Sequence, residues 1–231
     1  MSTLLALDAS STACSCALWR DGEVLSRFAL APREHTRRLM PMIDEVLAEA
    51  GLAIADLDAL AYGRGPGSFT GLRIAAGVAQ GLAFGLDRPL IGVSTLEALA
   101  LAAHRELHVR YVIAALDARM NEIYVAAYHC RDGAVTPLLD EAVLPPERLA
   151  LPETLRDADW CGVGSGWTLW EAMPVWVKDA LSQRLPDAQP SAEAMVRLAA
   201  DALARGEGQA PHEAVPVYLR NQVAWKKPAS S

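Results

Sequence analysis

Cysteine is scarce in this sequence, with four among 231 residues: Cys14, Cys16, Cys130 and Cys161. Four scattered thiols without a Cys-x-x-Cys pair exclude a disulfide-dense scaffold and a cysteine-based zinc site. We therefore expect reduced thiols in a cytosolic protein, buried as small hydrophobic side chains.

Basic residues are also in the minority, because 21 Lys and Arg face 28 Asp and Glu and give a formal net charge of −7. Nucleic-acid binding depends on neutralising phosphates, which needs a surplus of Lys and Arg on one face. The composition argues against a protein that holds nucleic acid unaided, so a tRNA or DNA partner would need a local basic patch or another subunit. With 52% hydrophobic residues, the chain is neither disordered nor collagen-like.

Long hydrophobic runs are missing as well. The longest charge-free apolar stretch, Ile74–Leu86, has 13 residues and three glycines, whereas a membrane-spanning helix needs about 20 apolar residues. The N-terminus lacks the basic and apolar segments of a signal peptide. We expect a cytoplasmic protein that has no membrane partner.

A strand–turn–strand pattern occurs twice in the chain. Leu4–Asp8 is an apolar strand that ends in Asp, a second strand follows, and Asp21-Gly22 marks a hairpin turn. The same order returns at Val112–Asp117, with Asp132-Gly133 as the turn. This internal repeat predicts two similar α/β halves with a boundary near His104–Arg110.

Helices and irregular segments lie between these strands. Apolar residues recur at helical spacing from Leu39 to Ala50, and Pro41 predicts that this helix starts or kinks there. An apolar helix is predicted over Phe69–Leu86. Four prolines between Thr136 and Arg156 predict an irregular connection with a short helix, and Ala214–Trp225 is predicted to be an extended tail.

Three glycines of the second helix, Gly77, Gly81 and Gly85, lie four residues apart and hence on one face. Each costs about 0.5–1 kcal/mol of helix stability relative to alanine, so a compensating contact is expected. Close approach of another helix would supply it, either from Leu39–Ala50 of the same chain or from another subunit.

The glycine-rich loop Gly63–Ser68 precedes this helix, and such loops favour anions. Its spacing matches neither a P-loop nor the dinucleotide fingerprint, so a tight strand-to-helix turn is the competing interpretation. Asp8 and Asp117 end corresponding strands, where carboxylates either hold a metal–nucleotide complex or cap turns. The candidate nucleotide or phosphate residues are Asp8, Ser10, Ser11, Gly65, Gly67 and Ser68.

His104 and His108 form a pair at i and i+4 that could share a metal, as a hydrolase would require. Nothing in the sequence nominates a third ligand, and Arg105 stands where the zincin motif requires Glu. We expect a solvated helix terminus, no metal site and no catalytic residue.

Several segments together are more specific than any one motif, and together they resemble the bacterial TsaB (YeaZ) family. These segments are Leu7–Ser10, Cys14–Trp19, Pro32–Thr36, Ala61–Ile74, Gly92–Leu96, Leu116–Met120 and Pro216–Asn221. The resemblance implies an α/β, duplicated actin/hexokinase-like (ribonuclease H-like) fold with two similar lobes and mixed sheets. We place the lobes at residues 1–106 and 107–231, and the last helix is a candidate to pack back on the first lobe.

The resemblance implies a non-catalytic subunit required for threonylcarbamoyl transfer to N6 of the adenosine beside the anticodon (adenosine 37), in tRNAs that read codons beginning with A. Its implied partners are the catalytic paralogue TsaD, the ATPase TsaE and a second copy, with tRNA reached only through the complex. No intrinsic cofactor is implied, although ATP or ADP at the complex interface is a candidate. Aligned on Gly92-Val93, the paralogue's metal histidines fall on Thr95 and Leu99. The rival interpretation is an ATPase or small-molecule kinase of this fold.

The family's dimer contact uses helices of the N-terminal lobe, which favours an intersubunit role for the glycine face. The implied interface residues are Arg33, Glu34, His35, Leu39, Met42, Ile43, Val46, Gly71, Ile74, Ala75, Val78 and Leu82.

Overall fold

The computed structural model describes residues 2–151 and 153–220, and the part of the predicted tail from Asn221 to Trp225 lies outside them. Within these ranges, ten strands form two five-stranded sheets. The first contains β1 Thr3–Asp8, β2 Ala13–Arg20, β3 Glu23–Leu30, β4 Ala59–Gly65 and β5 Leu90–Ser94. The second contains β6 Tyr111–Asp117, β7 Ile123–Arg131, β8 Ala134–Leu144, β9 Trp160–Val163 and β10 Leu181–Leu185.

The two sheets have the same topology. Their strand orders are β3-β2-β1-β4-β5 and, read from the other edge, β8-β7-β6-β9-β10. When strands are counted along the chain within each sheet, both orders are third, second, first, fourth and fifth. In both sheets the first three strands in sequence are antiparallel and the last two run parallel to the first. The predicted duplicated α/β fold with mixed sheets is confirmed.

Both predicted hairpin turns are present between the second and third strands of each sheet. Asp21 and Gly22 have φ values of 51° and 95°, and Asp132 and Gly133 have 52° and 83°. Two successive residues with positive φ match the right-handed twist of the flanking strands, and Asp-Gly adopts this conformation readily. The local sequence therefore specified these turns.

In the described part of the chain, five α-helices cover the sheets: α1 His35–Ala50, α2 Phe69–Leu86, α3 Thr95–Leu107, α4 Val175–Ala180 and α5 Ala192–Ala204. α1 and α2 pack on the outer face of the first sheet, against Leu5 and Leu7. Leu4 and Ala6 point to the opposite face, because successive strand residues alternate, and they contact α5. α3 packs on the inner face of the second sheet, and α4 lies with Trp160 and Trp167 on its outer face.

Each half of the chain thus packs its last helix on a sheet of the other half. α3 follows β5 of the first sheet and contacts β6 and β7 of the second, whereas α5 follows β10 and contacts β1 and β2. The order of layers is α1/α2, first sheet, α3/α5, second sheet and α4. The division into lobes at 1–106 and 107–231 stays a prediction.

Two sequence predictions are corrected. Pro41 does not start the first helix, because α1 begins at His35, where the amides of Arg37 and Arg38 bond to Glu34 O at 2.9 and 3.1 Å and form the first turn; a kink at Pro41, the other alternative, stays a prediction. The predicted irregular connection begins with β8, which contains Pro137. β8 is an edge strand, and an edge strand tolerates the missing N–H of proline.

Two other features bear on the expectations from composition. All four cysteines are free and buried, as predicted. Within the described residues, α2 is long and apolar enough to cross a membrane, with 18 residues and a mean hydropathy of 1.3. One such helix is weak support for a membrane span, because core helices of soluble proteins meet the same criteria.

Candidate functional site

The glycine-rich loop packs directly on the turn between β1 and β2. The amide of Ser68 donates to Ser10 O at 2.7 Å, and the Ser68 hydroxyl accepts from Gly71 N at 3.4 Å to cap α2. A Cβ at Gly67 would lie 2.4 Å from Ser10 O, and one at Gly71 would lie 1.8 Å from Ala9 O. The backbone of the turn therefore occupies the space that side chains at Gly67 and Gly71 would need.

Asp8 ends β1 immediately before this turn and is fully buried. Its Oδ1 accepts from Ser10 N at 3.2 Å, and its Oδ2 accepts from Ser10 Oγ at 3.1 Å. Desolvation raises the pKa of Asp8 to about 6, against the opposing effect of these hydrogen bonds. Ser11 Oγ accepts from Ala13 N at 3.0 Å within the same turn.

The structure thus brings most of the candidate phosphate residues together, and they bond to one another. Gly65 ends β4 with a φ of 108°, and Ser10, Gly67 and Ser68 meet as described above. This arrangement is a tight strand-to-helix turn in its own right. Nucleotide or phosphate binding by these residues stays a prediction.

The corresponding turn of the second half differs in burial. The side chain of Asp117 is 33% exposed and pairs with the Arg119 guanidinium at 3.2 Å, while Asp117 N donates to Ser165 Oγ at 3.0 Å. Arg119, Met120 and Asn121 have consecutive φ values of 64°, 57° and 57°. The turns around Asp8 and Asp117 therefore occupy equivalent topological places with different chemistry.

The two candidate histidines end a helix. α3 stops at Leu107, and His108 is its C-cap with a φ of 58°. His104 Nδ1 lies 2.7 Å from Val109 O. The prediction of a helix terminus is confirmed, and no group of three or more His, Cys, Asp or Glu suited to a metal occurs among the described residues.

The outer face of α2 is apolar and open. Phe69, Arg73, Gly77, Gly81 and Gly85 lie four residues apart and form a stripe along the helix, which we call the glycine stripe. Apart from neighbouring residues and backbone of α2 itself, no described atom lies within 4 Å of a Cβ built at any of its three glycines. α1 of the same chain therefore does not make the close approach that the glycines would permit. Next to the stripe, Phe84 is 78% exposed.

Several predicted interface residues belong instead to the core. Leu39, Ile43, Val46 and Ala75 are fully buried, Met42 is 7% exposed and Gly71 is buried against Ala9. Apolar periodicity marks the side of a helix that is buried, and here the first sheet buries it. The first sheet thus covers most of the surface of these six residues, and contact between them and a partner stays a prediction.

The other six predicted interface residues have accessible surface. Ile74, Val78 and Leu82 are partly buried and flank the glycine stripe. Arg33 and Glu34 are exposed, and His35 is half-buried with its Nε2 3.0 Å from Ser11 O. For these residues contact with a partner stays a prediction.

Comparison with known proteins identifies the family. A family model described as TsaD, tRNA N6-adenosine threonylcarbamoyltransferase, matches residues 29–227. The tRNA threonylcarbamoyladenosine biosynthesis protein TsaB of Escherichia coli is 46% identical over 97% of both chains. The chain belongs to the TsaB family. The TsaB protein of Haemophilus influenzae is 42% identical over 97% of this chain and 96% of its own.

A solved structure agrees with this family. YeaZ from Pseudomonas aeruginosa is 49% identical, covers 95% of this TsaB-family chain and 100% of its own, and has a TM-score of 0.89. The family assignment made from the sequence motifs is therefore confirmed.

Sequence reasoning missed two clusters of this TsaB-family chain. One joins Arg64 to Glu141, which are 77 positions apart. No local sequence pattern predicts a pair at that separation. The other joins Phe69 and Arg73 to Tyr218. Its helical part was readable, because the four-residue spacing of the glycines continues upstream to Arg73 and Phe69.

Proposed function

We propose that this chain is a non-catalytic subunit that activates threonylcarbamoyl transfer to N6 of adenosine 37 in tRNAs reading codons that begin with A. It acts by forming a heterodimer with the transferase TsaD through the glycine stripe of α2. A second copy of the chain uses the same face when the transferase is absent. The open apolar stripe is the observation that carries this proposal.

The composition of α2 supports a docking role. The helix has a mean hydropathy of 1.3, yet only 33% of its residues are buried. Large exposed apolar patches mark interaction sites, since leaving such surface in water is unfavourable. Glycines let a partner helix approach more closely than larger residues would.

The residues at the positions equivalent to the transferase's metal ligands support the proposal that this chain is non-catalytic. Thr95 is fully buried, and its hydroxyl donates to Pro66 O. Leu99 is in the core between α3 and the second sheet. Neither side chain can replace an imidazole ligand, so the chemistry belongs to the partner.

The remaining partners follow from the same complex. TsaE acts as its accessory ATPase, and tRNA is reached through the complex because the chain has a net charge of −7. The chain brings no cofactor, any ATP or ADP lies at a subunit interface, and the complex works in the cytoplasm.

Reconstitution tests the proposal. The transferase, TsaE, threonylcarbamoyl-adenylate, ATP and a substrate tRNA are mixed with or without this chain, and the modified nucleoside is quantified by mass spectrometry. We expect product only when both the chain and the transferase are present. Product from the transferase alone would show that the chain is dispensable, and product from the chain without the transferase would refute its non-catalytic role.

Substitutions in the glycine stripe test whether the transferase docks on α2. Gly81 is exposed, and a Cβ added there meets no described atom outside α2. The Gly81→Glu monomer should therefore fold, but a partner helix would bury the new charge at a cost of several kcal/mol. Ala204→Glu is the matched control, because Ala204 is exposed at the end of α5. Product should be lost with the first variant and retained with the second. Full activity of Gly81→Glu would exclude this face as the docking site.

A further inference from the structure

The segment after α5 returns to the first half of the chain. We call residues 209–220 the C-terminal strap. Gln209 exchanges two backbone hydrogen bonds with Leu90 of β5, at 2.9 and 3.1 Å. Gln80 of α2 then donates to Pro211 O and Ala214 O at 3.1 and 2.7 Å. The strap therefore runs along one flank of α2.

The strap then passes the first turn of α2. Val217 N donates to Arg64 O at 2.7 Å, which places Tyr218 against the glycine stripe. The Tyr218 ring centroid lies 5.3 Å from that of Phe69. The Arg73 guanidinium lies 4.0 Å above the Phe69 ring, and Arg73 Nε donates to the Tyr218 hydroxyl at 3.1 Å.

These three side chains contact one another and are accessible to a partner. Phe69 is 55% exposed and Tyr218 is 37% exposed. Aromatic rings and arginine are the side chains that most often dominate binding energy when a partner excludes water from them. The hydrogen bond, the tilted contact between the two rings and the cation–π contact hold all three side chains in place before binding, which lowers the entropy lost on association.

The far end of the strap is tied to the second half. Arg220 pairs with the carboxylate of Glu122 and places its Nη1 3.4 Å from Met120 Sδ. These contacts are with the turn in which Arg119, Met120 and Asn121 have positive φ values. A backbone in this strained conformation persists where the surrounding structure holds it. The strap is thus fixed at both ends, and its position depends on both sheets.

We propose that the C-terminal strap forms part of the docking surface, with Tyr218, Phe69 and Arg73 as an anchor at one end of the glycine stripe. The inference rests on the proposed function and adds to it a contact from the end of the chain. The occupant is a helix of the transferase with small residues opposite the glycines. It carries a carboxylate opposite Arg73, because only the Nε of that guanidinium is paired among the described residues.

Substitutions at Tyr218 test the anchor. Binding of each variant to the purified transferase is measured by isothermal titration calorimetry, with thermal unfolding as the check on folding. Tyr218→Ala should weaken binding at least about tenfold, as expected for an aromatic anchor. Tyr218→Phe keeps the ring but removes the acceptor for Arg73, so its loss should be smaller. Val175→Ala is the matched control, since Val175 is exposed on α4, on the outer face of the second sheet, and it should stay within about twofold of the unaltered chain.

The outcomes separate this inference from the proposed function. Unchanged binding by Tyr218→Ala, together with loss of binding by Gly81→Glu, would overturn the strap inference and leave the proposed function intact. Unchanged binding by both variants, or no binding by the unaltered chain, would overturn both. Should Tyr218→Ala fail to fold, Arg73→Gln and Tyr218→Phe decide: weaker binding by both supports the anchor, and unchanged binding by both refutes it.

Arg220 provides an independent readout. Arg220→Ala removes the tie to Glu122 without altering α2. Amide exchange in residues 209–218 should become faster, and binding to the transferase should weaken. Faster exchange with unchanged binding would show that the strap is not part of the docking surface.

Discussion

Arg64 at the end of β4 and Glu141 on β8 form an ion pair that links the two sheets. Two guanidinium nitrogens each lie 3.1 Å from a carboxylate oxygen, and the side chains are only 31% and 15% exposed. Ser94, the N-cap of α3, donates its hydroxyl to the same carboxylate. One glutamate of the second sheet thus holds two elements of the first half.

Glu141→Gln is expected to lower the free energy of unfolding by about 1–3 kcal/mol, because a partly buried guanidinium loses its charged acceptor. Glu153→Gln is the control, since Glu153 is 88% exposed and lies 3.8 Å from Arg156. An exposed pair of that kind contributes about 0–1 kcal/mol. Urea unfolding measures both variants, and equal effects would show that the Arg64 pair adds no stability of its own.

Alanine at two glycines of α2 should have opposite effects. Gly71→Ala puts a Cβ 1.8 Å from Ala9 O, and overpacking of this kind costs about 1–3 kcal/mol or more. Gly77→Ala adds a Cβ that meets no described atom outside α2 and should stabilise the chain by about 0.5–1 kcal/mol through helix propensity. Thermal unfolding of the monomer compares them. A destabilising Gly77→Ala would mean that this face is packed within the chain.

Self-association should depend on the same open face. We expect the unaltered chain to sediment as a dimer and Gly81→Glu to sediment as a monomer, because the dimer would bury an unpaired carboxylate. Ala204→Glu should remain dimeric. A dimeric Gly81→Glu would place the contact between copies on another surface.

Asp8 should make stability depend on pH. Burial raises its pKa in the folded chain to about 6, above the unfolded value of about 3.9. Protons therefore bind the folded state more tightly, and stability should fall by about 3 kcal/mol as pH rises from about 4 to about 6. Asp8→Asn should remove this fall, whereas Asp140→Asn, at an exposed site, should not. Equal pH profiles for Asp8→Asn and the unaltered chain would contradict the assignment.

The same Asp8 variant separates the proposed function from an ATPase or kinase. A kinase would use Asp8 at the metal–nucleotide complex, so Asp8→Asn would abolish turnover and Mg-ATP binding. A docking subunit should still support tRNA modification with this variant. Loss of modification by a folded Asp8→Asn chain that still binds the transferase would favour the nucleotide interpretation.

Much of the first sheet could be predicted from local residue patterns in the sequence. The apolar run Leu4–Leu7 is buried on both faces, which explains why it lacks the alternation of a half-exposed strand. Both Asp-Gly turns were predictable for the same local reason. β8 was missed because the tolerance for Pro137 depends on its place at a sheet edge, which no local pattern reports.

The candidate site was harder to predict, since burial depends on the partner of each helix face. The periodicity of Leu39 and Ile43 identified a buried face correctly, but it could not tell the chain's own sheet from another subunit. The glycine spacing pointed to the open face of α2. Tyr218 lies 145 positions from Arg73, so only the folded chain shows that the two meet.

The exchange of α3 and α5 between the two sheets has a consequence for folding. A fragment ending at residue 107 would keep the first sheet but lose α5, leaving Leu4, Ala6 and the rest of that inner face in water. The complementary fragment would lack the α3 residues that cover Val112 and Ala114. Neither fragment can bury its own core, so the duplicated chain should melt in a single cooperative transition, and cleavage between the repeats should yield insoluble pieces in place of two small domains.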